Sequence, residues 1–180
     1  MNITASVVSG STAAAIQEAA ALNQRALSLT RQRDFAGAET LYLKALRLKE
    51  HHLGREHIET ALTTNALGDL YLNMSRLDDA ESFLRRAIAV RMHAGPVFDA
   101  AVSIELLAQV YEAKGDLRQA KKTRLSNGTA DIACGNYTCP GQTFPLEKLS
   151  ACSGCKSIFY CGKACQQSDW RRHKRACKTA

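Results

Sequence analysis

Apolar residues recur every three to four positions along the first two thirds of the chain, which is the pattern of helices with one buried face. Short stretches with polar residues or glycine, such as Arg33-Asp34 and Gly115-Asp116, interrupt the pattern, and Gly95-Pro96 stops one helix. The pattern predicts six helices, at Ile16–Arg33, Phe35–His51, Ile58–Met74, Leu77–His93, Val97–Lys114 and Leu117 to about Arg124.

Three segments of this helical region align with one another at offsets of 42 and 40 residues. The aligned positions include Leu29, Tyr71 and Tyr111 in the first helix of each unit and Ala38, Ala80 and Ala120 in the second. Each unit is therefore predicted to be a helical hairpin, with its alanine where the two helices cross closely. The sequence predicts an all-α array of about three such hairpins.

This organisation resembles the tetratricopeptide repeat, in the longer form found in kinesin light chains. The stretch from Leu53 to His57, followed by Thr60, is similar to the link between repeats in that subclass. The resemblance covers residues 16–125 and implies about three units, close to the minimum for a stable stack. Because terminal repeats need a cap, we expect the C-terminal module to cap the array.

Two segments lack helical periodicity. Residues 1–15 are small and apolar without a basic stretch, so we expect a loose N-terminal segment rather than a signal peptide. Residues 126–133 contain Ser126-Asn127-Gly128-Thr129 and are predicted to be a linker. No apolar run reaches the ~20 residues of a membrane span, so we expect no membrane partner.

All seven cysteines lie between Cys134 and Cys177, and with His173 they form four pairs. The pairs are Cys134/Cys139, Cys152/Cys155, Cys161/Cys165 and His173/Cys177, separated by four, two, three and three residues. Eight such ligands fill two tetrahedral zinc ions and leave no open position, which predicts structural rather than catalytic zinc. The last two pairs are predicted at helical segments and the first two on knuckles or short strands. Spacing alone permits sequential or interleaved pairing.

The stretch from Tyr160 to Cys177, together with Leu149 and the knuckle Cys152-Ser-Gly-Cys155, is similar to the MYND finger. The resemblance covers residues 134–177 and implies a small cross-braced finger with interleaved pairs. It implies one zinc ion held by Cys134, Cys139, Cys161 and Cys165 and a second held by Cys152, Cys155, His173 and Cys177. So small a module depends on its metal for folding energy.

The two resemblances also suggest residues that contact peptides. In MYND fingers that bind proline-rich peptides, the residues matching Gln166 and Trp170 lie at the peptide groove, where the peptide adds as a strand. The alternative is that Trp170 only packs beside the second zinc. Asn23 and Asn65 recur at 42 residues on the first helices of the repeats. There they are candidates to clamp a peptide backbone, and the alternative is plain helix surface.

The net charge is +7, and residues 131–180 hold eight Lys or Arg against three Asp or Glu. Seven zinc-bound thiolates and two zinc ions together cancel three of these positive charges, so nucleic acid is not the expected partner. Reduced, metal-bound cysteines predict an intracellular location, in the cytoplasm or the nucleus.

We therefore predict a zinc-binding adaptor without catalytic residues, whose finger and repeat groove bind proteins. The alternative is an accessory or regulatory protein linked to a methyltransferase or to transcription, with weak nucleic-acid contact through the basic C-terminal helix. MYND fingers also accompany SET methyltransferase domains, but this sequence contains no glycine-rich cofactor loop.

Overall fold

The structure is a computed structural model that describes residues 10–126, 131–141 and 143–177. Its N-terminal part consists of helices packed in chain order. They are α1 (Gly10–Arg31), α2 (Phe35–Leu53), α3 (Ile58–Asn73), α4 (Leu77–Ala94), α5 (Val97–Ala113) and α6 (Leu117–Arg124). α1 pairs with α2, α3 with α4 and α5 with α6, and each pair packs on the next. The predicted all-α array of three hairpins is confirmed.

The core of the array runs along the helix crossings within the hairpins. Ala38, Ala80 and Ala120 are all fully buried, as their shared position predicted. The fit at the α3–α4 crossing is close, because a Cβ on Gly68 would lie 2.6 Å from Cγ of Leu84. Small residues at these points let the helices approach, and larger apolar side chains fill the space on either side.

The turn inside each hairpin repeats one backbone geometry. Arg33, Ser75 and Gly115 have φ angles of 65°, 60° and 82°, in the left-handed region that commonly ends a helix. The following amide then donates back to the last turn, as from Asp34 to the carbonyl of Leu29 at 2.9 Å. The Asp34 side chain also caps α2 by accepting from the backbone of its first turn.

Consecutive hairpins are joined by the same polar pair, one repeat apart. The Tyr71 hydroxyl on α3 donates to Glu39 on α2 (2.9 Å), and the Tyr111 hydroxyl on α5 donates to Glu81 on α4 (2.6 Å). Burial alone would raise the pKa of Glu81, but hydrogen bonds from Lys114, Tyr111 and a nearby arginine lower it to about 2. Glu81 therefore stays charged and fixes the register between two hairpins.

The flanking segments differ in part from the predictions. α1 begins at Gly10, earlier than the predicted Ile16, because the alanine-rich stretch before Ile16 favours a helix. Residues 1–9 of the predicted loose segment lie outside the described residues, as do residues 127–130 of the predicted linker. The last two linker residues, Ile132 and Ala133, form a strand that is buried against α5.

The C-terminal module consists of two short hairpins and one helix. Its elements are β1 (Ile132–Ala133), β2 (Thr143–Phe144), a 3-10 turn (Leu146–Lys148), β3 (Ser150–Ala151), β4 (Phe159–Tyr160) and α7 (Lys163–Cys177). β1 pairs with β2 and β3 with β4, both antiparallel. The apolar core is small, since Ile158 and Tyr160 are buried chiefly among cysteines, and such a core does not hold a fold by itself.

α5 is shared between the array and the finger. It buries twelve of its seventeen residues, because α4 and α6 pack along it and β1 packs against it as well. The neighbouring helix α6 is short and ends at Arg124, whose side chain donates to the carbonyl of Ser157 in the finger (2.8 Å). The finger thus contacts both helices of the last hairpin.

Candidate metal centres and the adjoining cleft

The first ligand group brings together the sulfur atoms of Cys134, Cys139, Cys161 and Cys165, all within 4.8 Å of one another. Cys134 directly follows β1, Cys161 directly follows β4, and Cys165 lies in the first turn of α7. Sγ of Cys161 lies 3.6 Å from that of Cys139 and 3.5 Å from that of Cys165. The amide of Asn136 points at Sγ of Cys165 (3.5 Å), as suits a sulfur that carries negative charge.

The second ligand group consists of Cys152, Cys155, His173 and Cys177, whose ligand atoms also lie within 4.8 Å of one another. The first two form a knuckle after β3, and the last two are one turn apart on α7. Nε2 of His173 lies 3.4 Å from Sγ of Cys155, and the sulfurs of Cys152 and Cys177 are 3.8 Å apart. The knuckle requires Gly154, because a Cβ there would lie 2.9 Å from Sγ of Cys177.

These separations suit tetrahedral metal ions rather than disulfide bonds. With Zn–S bonds of about 2.3 Å, two sulfurs on one zinc stand about 3.8 Å apart, and a sulfur and a nitrogen about 3.6 Å. A disulfide requires about 2.05 Å. Each group can therefore hold a metal ion with four protein ligands. The groups interleave along the chain, since the first pair meets the third and the second pair meets the fourth.

A buried ionic network connects the second ligand group to the repeats. Nε and Nη2 of Arg124 contact the two carboxylate oxygens of Glu105 at 2.6 and 2.8 Å. Nη2 also lies 2.8 Å from Oε1 of Glu112, and Arg172 of α7 donates to Oε2 of Glu112 at 2.7 Å. The carboxylates of α5 are thus neutralised by one arginine from the repeats and one from the finger.

The finger side of the network ends on a buried tyrosine. Arg172 donates to both carboxylate oxygens of Asp169 (2.7 Å each), and the Tyr160 hydroxyl donates to Asp169 as well (2.7 Å). Burial alone would raise the pKa of Glu112, but the positive charges of Arg124 and Arg172 outweigh it and hold that pKa well below its usual range. Glu112 is therefore charged at neutral pH and ties α5 to α7.

Glu105, Glu112 and Arg124 were not among the functional residues predicted from the sequence. Glu105 and Glu112 are charged residues seven positions apart in a largely apolar stretch of α5, which places them on one helix face. That spacing was the available signal. Arg124 offered none, because its contact at Ser157 lies far along the chain.

An open cleft lies between the repeats and the finger. It has a volume of about 720 Å³ and is lined by Asp69 and Asn73 of α3 and by Tyr137 and Arg175 of the finger, among others. The Tyr137 side chain is 73 % exposed. A neighbouring pocket of about 380 Å³ borders Asn65 and the loop that carries the first ligand group. Both modules therefore contribute to one mixed polar and aromatic surface.

The predicted peptide residues of the finger, Gln166 and Trp170, lie one turn apart on α7. Trp170 is 42 % exposed, with its ring centroid 6.1 Å from that of His173. Gln166 is half-buried. The indole thus packs beside the second ligand group with one part and leaves the other part open to solvent.

The predicted groove residues, Asn23 and Asn65, lie between consecutive hairpins. The Asn23 amide donates to the Thr63 hydroxyl (2.8 Å), and the carbonyl oxygen of Asn65 accepts from the Ser103 hydroxyl (2.8 Å). Both asparagines therefore link the first helices of neighbouring repeats, a stacking contact that the sequence did not reveal. Their role in peptide binding stays a prediction.

Fold and ligand groups together define a helical-repeat protein with a cross-braced, metal-binding finger. Residues 17–92 match the tetratricopeptide repeat, and residues 133–177 match the MYND finger. The chain therefore carries tetratricopeptide repeats followed by a MYND finger, as its sequence motifs predicted. Both are non-catalytic modules for protein interaction.

Three curated relatives show how far the similarity extends. Histone-lysine N-methyltransferase ASHR1 of Arabidopsis thaliana is 43 % identical over 35 residues, 19 % of this chain and 7 % of that protein. SET domain and MYND-type zinc finger protein 6 of Schizosaccharomyces pombe is 46 % identical over 48 residues, 27 % of this chain and 10 % of that protein. N-lysine methyltransferase SMYD2-A of Xenopus laevis is 35 % identical over 74 residues, and the match covers 31 % of this chain and 17 % of that protein. The chain thus spans less than a fifth of these relatives.

Among solved structures, the chain is similar to the crystal structure of BtubC (BKLC) from P. vanneervenii. The match has a TM-score of 0.58 and 29 % sequence identity, and it covers 61 % of this chain and 44 % of that chain. It supports the predicted likeness to kinesin-light-chain repeats. Within the described residues, every helix is too short or too polar to cross a membrane.

Proposed function

We propose that this protein is a zinc-dependent adaptor, which binds other proteins through its finger and its repeat groove. The observation that carries the proposal is the pair of closed ligand groups, each with four protein atoms within 4.8 Å. Four protein ligands leave no open position for a substrate or a reactive water. Metal there stabilises the finger, and the folded finger presents the binding surface. The proposal assigns no catalytic residue and places the thiolates in a reducing, intracellular compartment.

Two zinc ions are proposed, one in each ligand group. We expect native mass spectrometry of the purified chain to show two zinc ions that a chelator removes. Cys139→Ser and Cys155→Ser should each lose one ion, from different groups, whereas Ser153→Ala in the same knuckle should keep both. A wild-type chain with fewer than two zinc ions, or a cysteine variant that retains both, would contradict this part of the proposal.

Gln166 and Trp170 are the proposed contacts for a proline-rich peptide. The partly exposed indole offers a flat apolar face to proline rings. Both residues of β3 are exposed, and among the described strands β3 pairs with β4 alone. The other edge of β3 is thus open to an added peptide strand.

Trp170 is the single tryptophan of the chain, so its fluorescence reports directly on this surface. Titration with proline-rich peptides should shift its emission, and Gln166→Ala should weaken binding by about 1 kcal/mol. The neighbouring Gln167→Ala is the matched control, because Gln167 is exposed and points about 100° away around α7. Peptides that bind without changing the emission, and that bind Trp170→Ala equally well, would place the binding surface elsewhere.

The cleft beside α3 and α5 is the second proposed surface, with Asn23 and Asn65 as candidate contacts along the groove. The hydrogen bond between Asn65 and Ser103 allows a matched test. Asn65→Ala removes both this bond and any clamp on a peptide. Ser103→Ala removes the bond, together with the contacts of Ser103 with Arg91 and Asp99, but leaves the Asn65 side chain in place. A peptide clamp predicts weaker binding only for Asn65→Ala. Equal effects of the two variants would restrict Asn65 to stacking.

A second candidate function is an accessory role beside a methyltransferase or in transcription. The names of the three relatives support it, since each is a methyltransferase or a SET-domain protein. Nucleic-acid contact through α7 has less support, because Arg172 is already paired with Glu112 and Asp169. DNA binding with a steep salt dependence would favour this candidate, and its absence would favour the adaptor.

A further inference from the structure

His173 and Glu112 face each other across the boundary between the finger and the repeats. Their side chains are 0 % and 3 % exposed, and Nδ1 of His173 lies 3.9 Å from Oε1 of Glu112. Nδ1 of His173 has no hydrogen-bond partner among the described residues, and Oε1 of Glu112 has the ion pair with Nη2 of Arg124 at 2.8 Å but no bond to the imidazole. The other imidazole nitrogen, Nε2, points into the second ligand group, 3.4 Å from Sγ of Cys155.

The chemistry of a ligating histidine explains why Nδ1 of His173 faces Oε1 of Glu112. A histidine that binds metal through Nε2 is neutral and carries its proton on Nδ1, so Nδ1 is a donor aimed at Glu112. Leaving this buried donor unpaired costs about 1–3 kcal/mol. A movement of about 1 Å closes the present gap to hydrogen-bond length.

We infer that Glu112 is the positioning residue of the second metal centre: its carboxylate accepts the Nδ1 proton of His173 when zinc is bound. Metal-bound histidines commonly donate their second nitrogen to a carboxylate, which fixes the ring and strengthens the ligand. In this protein that carboxylate belongs to α5 of the repeats and not to the finger. The inference rests on the proposed zinc binding.

The surrounding charges hold Glu112 ready for this role. Arg172 donates a hydrogen bond to Oε2 of Glu112 at 2.7 Å, which leaves Oε1 of Glu112 facing His173. The network contains three carboxylates, from Glu105, Glu112 and Asp169, against the two guanidinium groups of Arg124 and Arg172. These five groups therefore carry a net charge of −1, and the two arginines hold the Glu112 carboxylate beside the imidazole. The repeats thus complete a metal centre whose four direct ligands all lie in the finger.

The test compares Glu112→Gln with Glu105→Gln in the full chain loaded with zinc. Each substitution removes a carboxylate that contacts Arg124, but only Glu112 faces His173. In competition with a chromogenic chelator, Glu112→Gln should weaken binding of one of the two zinc ions by about tenfold. Glu105→Gln should change zinc affinity by less than about twofold, although it also destabilises the fold. Where Glu112→Gln folds poorly, Glu112→Asp keeps the charge, withdraws the carboxylate by one methylene and should weaken the same ion.

Nuclear magnetic resonance of the His173 ring provides a readout that a purely structural role would not move. In the zinc-loaded protein, the Nδ1 proton should be protected from exchange, and Glu112→Gln but not Glu105→Gln should remove that protection. Equal losses of zinc affinity in both variants, or none in Glu112→Gln, would overturn the inference while two-zinc binding stands. A wild-type chain that binds fewer than two zinc ions would refute the proposed function first, and this inference with it.

Discussion

Replacing Arg124 with methionine should be among the most damaging single changes to the junction between the two modules. The Arg124 side chain is 1 % exposed and contacts both Glu105 and Glu112. It also donates to the buried carbonyl of Ser157 in the finger. Methionine fills much of the same space with a flexible apolar chain, but it supplies neither the charge nor the donors.

We expect Arg124→Met to lower the free energy of unfolding by about 3–5 kcal/mol, the usual cost of removing one partner from a buried ion pair. About 1–3 kcal/mol of this comes from the orphaned Ser157 carbonyl alone. The loss has an upper limit, because without the charge of Arg124 the pKa of Glu112 rises and the carboxyl group can take up a proton. The deficit relative to the wild type should therefore shrink as the pH falls.

Urea denaturation at neutral pH in the presence of zinc measures this loss. Circular dichroism reports mainly on the helical array, and Trp170 fluorescence reports on the finger, so the two signals show whether both modules are affected. Arg118→Met is the matched control, because Arg118 lies exposed on the same helix and its replacement should change stability by less than about 0.5 kcal/mol. If Arg124→Met costs no more than Arg118→Met, the reasoning about a buried network is wrong.

Three further predictions concern the repeats. Gly68→Ala should lower the free energy of unfolding, measured by urea denaturation, by about 1–2 kcal/mol. The new Cβ would lie 2.6 Å from the fully buried Leu84, and the resulting strain exceeds the gain in helix propensity. A stabilised variant would contradict the close crossing of α3 and α4. Gly115→Ala should lower the free energy of unfolding by about 1–2 kcal/mol, because the φ of 82° at this position is unfavourable for alanine. Gly162→Ala is the control and should be nearly neutral in the same assay, because a Cβ at either glycine meets no atom within 4 Å but Gly162 has no positive φ. The pKa of Glu81 in the folded protein, about 2, lies below its value in the unfolded chain. Ionised Glu81 therefore contributes to the free energy of unfolding above about pH 4.5, and this contribution disappears towards pH 2. Because Glu81 is partly exposed, we expect Glu81→Gln to cost only about 1 kcal/mol at pH 7; a gap of the same size at pH 2.5 would rule out this pKa.

The helical array was predictable because its signals are local. The starts of α2 at Phe35, α4 at Leu77 and α6 at Leu117 follow from a change of periodicity and a short polar turn, and the structure begins these helices at the same residues. The start of α1 at Gly10 was missed, since an alanine-rich stretch has no alternation of polar and apolar residues to mark a buried face. The strand at Ile132 was missed because it forms against α5, which is distant in the chain.

The ligand groups were predictable for a chemical reason. Few residue types bind zinc, and their spacing along the chain is visible, but spacing left sequential and interleaved pairing equally open. The interleaved order was implied by the family resemblance, and the structure brings the ligand atoms together in that order. The contacts of Glu112 with Arg172 and His173 join residues about 60 positions apart, and no local sequence pattern predicts such a pairing.

The shared position of α5 sets a limit on modularity. A helix that buries twelve of its seventeen residues between two modules cannot be exchanged as a unit of either one. A chimaera that transfers the finger to another repeat array would have to carry α5 and α6 with it. In homologous chains, substitutions should accumulate more slowly along α5 than along α1 or α2, even where the linker between α6 and β1 changes in length.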